Sequence, residues 1–72
     1  MDNMKFFREY IKELRLENNL TQVQLSKEIK IAQSTIVRLE NGVNIPDVLT
    51  LISYALFFKV STDKLLGLEG AF

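Results

Sequence analysis

The 72-residue chain contains no cysteine and no histidine. Those two gaps together remove disulfide staples, thiol nucleophiles, imidazole acid/base groups and nearly every zinc site. Neither charge is in excess, since nine Lys and Arg stand against nine Asp and Glu. A neutral balance withholds the general attraction to phosphate that a strongly basic chain would have. There is no long hydrophobic run either. The longest apolar-leaning stretch, Val48 to Phe58, falls well short of the roughly 20 residues that span a bilayer. The N-terminal run MDNMKFFREYIKEL mixes charges among its apolar residues, unlike a secretory signal. These absences point to one small cytoplasmic domain over residues 1–72, with no membrane association, cofactor, metal or small-molecule ligand. A chain this short buries only about 60 % of the surface its unfolded form exposes, so a second copy is the natural source of added stability.

What is present is helical periodicity, with no competing strand pattern. Phe6, Tyr10, Ile11 and Leu14 recur at helical spacing from about Lys5 to Asn18, and charged residues occupy the other face. Asn18 and Asn19 can stop that helix, because Asn tolerates the left-handed conformation of a helix end. Thr21 and Gln24 form an S/T-x-x-E/Q capping box. It opens a second helix from Gln22 to about Lys30, with Val23, Leu25 and Ile29 partly inward. A third helix covers about Gln33 to Asn41, with Ile36 and Leu39 inward, and stops at Asn41-Gly42. So brief a connection makes the second and third helices cross steeply, as in a helix-turn-helix. Ile45-Pro46-Asp47 then breaks the chain, and a fourth helix runs from about Asp47 to Phe58. Ser61 can cap a last helix, Thr62 to Leu66, closed by Gly67.

Four segments carry a family likeness: LRLENNLTQVQLS (Leu14 to Ser26), QSTIVRLENG (Gln33 to Gly42), P-x-V-x-x-L (Pro46 to Leu51) and VSTDKLLG (Val60 to Gly67). In this order and spacing they resemble the lambda-repressor-like, Cro and Xre-type helix-turn-helix family, across nearly the whole chain. The resemblance implies an all-α, compact five-helix domain that reads double-stranded DNA, usually as a homodimer on a two-fold symmetric operator. The function it implies is a transcriptional regulator, in the first instance a repressor.

Residue chemistry independently favours the third helix as the reading element. Gln33, Ser34, Val37 and Arg38 lie at i, i+1, i+4 and i+5, opposite Ile36 and Leu39. Arg suits guanine O6/N7 and Gln suits adenine N6/N7. Ser can donate or accept, and a Val methyl can meet the thymine methyl. Thr35, one step round, suits a phosphate or local packing. Gln22 stands in the first turn of the second helix, where free N–H groups favour a phosphate, and the family uses the matching Gln in this way. Asn41 and the Gly42 peptide are candidates for the opposite strand. Lys27 and Lys30, near the turn, either add charge attraction or are simply solvated. Arg15 and Glu40 match family positions that form a partly buried, architectural ion pair.

Departures from the pattern are informative. Lys30 and Lys59 stand where the family commonly has Gly, at a cost of roughly 1 kcal/mol each. Ala32 replaces the hydroxyl cap before the recognition helix, losing about another 1 kcal/mol. In the fourth helix Val48, Leu51, Ile52 and Ala55 form the expected inward stripe. Leu49 and Leu56 then occupy normally polar positions beside Phe57. Small domains rarely expose such residues together, which points to a dimer interface of Leu49, Leu56, Phe57, Leu68 and Phe72. The alternative is an enlarged monomer core. A rival reading of the whole chain, favoured by its zero net charge, is a protein-interaction module that kept the fold and lost DNA. An enzyme is not expected, because the acids are scattered and no nucleophile, base or phosphate-cradling loop accompanies them.

Overall fold

Helix ends in this chain are set by local chemistry. A computed structural model describes residues 4–68, and five helices account for most of them: α1 (Lys5–Glu17), α2 (Gln22–Ile29), α3 (Gln33–Glu40), α4 (Val48–Phe58) and α5 (Thr62–Leu65). No strand occurs among the described residues. At the start of α2, the Thr21 hydroxyl accepts from the Gln24 amide and the Gln24 side chain accepts from the Thr21 amide, closing the capping box. Asp47 and Ser61 cap α4 and α5 by accepting from Thr50 N–H and Lys64 N–H. Ala32, at the start of α3, offers no such bond.

Left-handed residues end the helices. Asn19, Lys30 and Lys59 have φ of 57°, 58° and 57°, and the amide after each reaches back to close the last turn: Leu20 to the Arg15 carbonyl, Ile31 to Ser26 and Val60 to Ala55. After α5 the same device uses Gly67, at φ 74°, with Leu68 N–H donating to the Asp63 carbonyl. A Cβ on Gly67 would also meet the Phe6 ring at 2.9 Å. Glycine is therefore required there on two counts.

The core is built from Phe7, Ile11 and Leu14 of α1, Leu25 of α2, Ile36 and Leu39 of α3, Tyr54 and Ala55 of α4, and Leu65 of α5. Four inward assignments made from periodicity need correction. On α1 the buried line is Phe7, Ile11, Leu14 and Arg15; Phe6 lies one step round, 53 % exposed, against the Tyr10 ring at 5.5 Å. On α2 only Leu25 is fully buried and Val23 faces out. On α4 the inward stripe is Leu51, Tyr54, Ala55 and Phe58, while Val48 and Ile52 are exposed. The cause in α4 is compositional: almost every residue is apolar, so periodicity has no polar face to orient it.

These contacts hold α3 between α1 and α2, while α5 joins α4 to α1. The outer face of α3 is left open. Among the described residues no helix is long and apolar enough to cross a membrane.

Candidate nucleic-acid interface

The outer face of α3 follows from what its inner face must do. Ile36 and Leu39 are fully buried and Glu40 nearly so. Helical geometry then turns Gln33, Ser34 and Arg38 outward, and all three side chains are exposed. Thr35 flanks this face and Val37 lies within it, both half-buried. The exposed polar set thus sits on a rigid helix, with the α2–α3 turn at one end and the Asn41-Gly42 turn at the other.

That second turn is wrapped closely. Gly42 adopts φ 76°, and Val43 N–H donates to the Arg38 carbonyl at 2.9 Å. Gly42 N–H itself donates to the Leu39 carbonyl at 3.2 Å. It is spent inside the turn, which weakens the expectation that this peptide serves an outside acceptor. The Asn41 side chain remains exposed. Toward the α2–α3 turn, Lys27 and Lys30 are exposed, as is Glu28 between them.

Beneath the rim lies a buried ionic network. Arg15 Nε and Nη2 donate to Glu40 Oε2 and Oε1 at 2.8 and 2.9 Å, a bidentate arrangement. Hydrogen bonding to Glu40 raises the Arg15 pKa above its ordinary value, against the opposing effect of burial. The remaining guanidinium nitrogen, Nη1, donates to the Leu20 carbonyl at 2.9 Å, fixing the chain just ahead of the α2 cap. Gln22 is half-buried at the mouth of this network, and its Nε2 donates to Glu40 Oε1 at 3.3 Å. Gln22, Asn41, Arg15 and Glu40 line one open cleft of about 610 Å³ between the end of α1 and the starts of α2 and its neighbouring turn.

Two features escaped sequence reasoning. Tyr54 is fully buried, and its hydroxyl has no hydrogen-bond partner; its i+3 relation to Leu51 was the available signal. Val43 and Ile45 are 70 % and 78 % exposed in the α3–α4 connection, next to exposed Val48, Leu49, Ile52 and Leu56. Phe57, by contrast, is half-buried against Phe58, with ring centroids 5.0 Å apart. Leu68 is partly exposed, and Phe72 lies outside the described residues. Among the described residues, the exposed apolar side chains thus gather on the α3–α4 connection and α4, with Leu68 beyond α5.

The helix-turn-helix family model matches residues 11–65, which include α2, α3 and the turn between them. The chain belongs to the helix-turn-helix family. It is also 35 % identical over 63 residues to the HTH-type transcriptional activator BcrR of Enterococcus faecalis. That match covers 88 % of this chain and 31 % of the relative, so the chain spans about a third of the relative's length. No solved structure gives a significant match.

Proposed function

We propose that this helix-turn-helix protein is a sequence-specific DNA-binding transcriptional regulator that occupies a short symmetric operator as a homodimer. The observation that carries the reading is the exposed Gln33, Ser34 and Arg38 set on a helix whose opposite side is locked in the core. In the major groove Arg38 reads guanine, Gln33 reads adenine, Ser34 takes either partner, and Val37 meets a thymine methyl. Gln22, Thr35 and Asn41 position the phosphate backbone, with Lys27 and Lys30 supplying charge. The Gly42 peptide contributes by shaping the turn. The family membership and the likeness to a transcriptional activator support regulation without fixing its sign. A bound regulator represses where its operator overlaps the polymerase site, and repression is the outcome proposed here.

Zero net charge and the exposed apolar strip favour a second reading, an interaction module that does not bind DNA. Selection of bound sites from a random duplex pool, followed by titration at two salt concentrations, separates the two. Lys27 and Lys30 from two protomers give a log–log salt slope of about −4 at roughly −0.9 per neutralised phosphate. Recovery of a two-fold symmetric motif with a steep slope supports the regulator. Absence of enrichment, with little binding at low salt, supports the interaction module.

A further inference from the structure

Glu40 is an acid placed at the edge of a surface that must meet a polyanion, and its charge alone would oppose DNA. Its geometry shows a different role. Oε1 accepts from Arg15 Nη2 at 2.9 Å and from Gln22 Nε2 at 3.3 Å, so one oxygen joins a buried cation to a side chain at the cleft mouth. Arg15 is itself tied to the Leu20 carbonyl, immediately before the capped start of α2. The Gln22 amide is thereby held by its own helix and by an atom of α3.

We propose that Glu40 is a positioning residue for DNA: it holds the Gln22 amide nitrogen so that its second N–H points out of the cleft, toward a backbone phosphate. An amide nitrogen carries two donors. One is engaged by Glu40, and the other is left pre-aimed, with less rotamer freedom to lose on binding. The alternative orientation would present the Gln22 oxygen, an acceptor that repels phosphate, and Glu40 disfavours that flip because two acceptors would then face each other. Arg15 supplies the compensating charge, so Glu40 can direct Gln22 without its own field reaching the DNA. This inference rests on the DNA-binding reading and specifies how one of its contacts is made.

The sign of a single substitution separates positioning from charge. Glu40→Gln removes a negative charge, so a pure field effect tightens DNA binding and steepens the salt slope. A neutral amide at this position accepts from Gln22 more weakly than the carboxylate does, and the loosened positioning weakens binding by about fivefold, the difference between a charge-assisted and a neutral hydrogen bond. The measurement is fluorescence-anisotropy titration of the selected duplex with wild type, Gln22→Ala, Glu40→Gln and the double variant, with the folded fraction of each fixed by circular dichroism. The expected result is weaker binding by Glu40→Gln alone and no further weakening by it when Gln22 is already Ala. Tighter binding, or an equal loss in both backgrounds, overturns the proposal. If Glu40→Gln does not fold, hydrogen exchange of the Gln22 side-chain amide in the wild-type protein decides: slower exchange than Gln33 is expected, and equal exchange overturns it. Wild type that binds no duplex, with slow Gln22 exchange, sinks the DNA reading and leaves the Glu40–Gln22 link standing. Wild type that binds while Gln22→Ala changes nothing sinks only the positioning role.

Discussion

Buried polar groups at two places, the Arg15–Glu40 pair and Tyr54, carry opposite energetic signs. Glu40 and Arg15 are 6 % and 7 % exposed and satisfy each other bidentately. Removing one partner leaves an uncompensated buried charge, so Glu40→Ala should lower the unfolding free energy by about 3 kcal/mol. Urea denaturation measures this, and a loss below about 0.5 kcal/mol, the level of an exposed pair, would contradict the structural role. The Tyr54 hydroxyl is buried with no partner. Tyr54→Phe removes that unsatisfied group at little cost in shape and should raise stability by about 1 kcal/mol. Burial, and secondarily the Glu40 charge, push the Tyr54 phenol well above its ordinary value. The unfolded phenol ionises near pH 10, so the folded chain retains a proton that the unfolded chain has lost. Stability is whole below about pH 10 and falls as pH rises beyond it. The Tyr54→Phe variant should therefore lose less stability than wild type between pH 8 and pH 11, and equal losses in the urea midpoint would count against this assignment. Arg15 and Glu40 were legible in the sequence because an Arg at one helix end and a Glu before Asn-Gly match a family pattern. Tyr54 was not, since in VLTLISYALFF nearly every position is apolar and the facing direction is set by α1 and α5, not by α4 itself.

Among the elements, helix boundaries were the most legible feature, because capping acts within four residues of the chain. Thr21/Gln24, Asp47 and Ser61 each make the backbone bond that their position implies, and Lys30 and Lys59 adopt the left-handed conformation inferred from the family's glycines. The turn from α2 to α3 thus forms with a left-handed Lys30 and without a side-chain cap at Ala32, at an energetic cost. Lys59→Gly should recover about 1 kcal/mol, seen as a rise in Tm of roughly 5 °C for a domain of this size. Lys30→Gly should give a similar gain while weakening DNA binding and reducing the salt slope by about 1 per protomer if that ammonium meets a phosphate. A gain in Tm with an unchanged slope would assign Lys30 to solvent. What periodicity misjudged was rotation: Phe7 replaces Phe6 on α1, and Tyr54 replaces Ile52 on α4. Residues one and two apart differ by about 100° and 200° around a helix, and when both are apolar only tertiary packing chooses between them.

On the scale of the whole molecule, the distribution of apolar surface sets the expected assembly. Leu49, Ile52 and Leu56 recur at i, i+3 and i+7 along α4, with Ile45 and Val48 at its N-terminal end, and all are exposed. Helical spacing makes this one continuous stripe, facing away from the side of α4 that carries Tyr54 and Ala55 into the core. A two-fold axis beside this stripe would pair like with like and would put two α3 helices in one assembly, as reading two half-sites about one helical turn apart requires. Leu49→Glu places a charge in the centre of the stripe without touching the core, since Leu49 is 76 % exposed. Wild type should sediment as a dimer at tens of micromolar, and Leu49→Glu as a monomer with unchanged helicity. On DNA the variant should bind a single half-site as wild type does and lose at least tenfold on the symmetric operator, because the second half-site no longer benefits from the high effective concentration of a linked reader. Two outcomes would refute this assembly in different ways. A wild-type monomer without DNA removes the preformed dimer, whereas a Leu49→Glu variant that still dimerises moves the interface away from α4 to another surface.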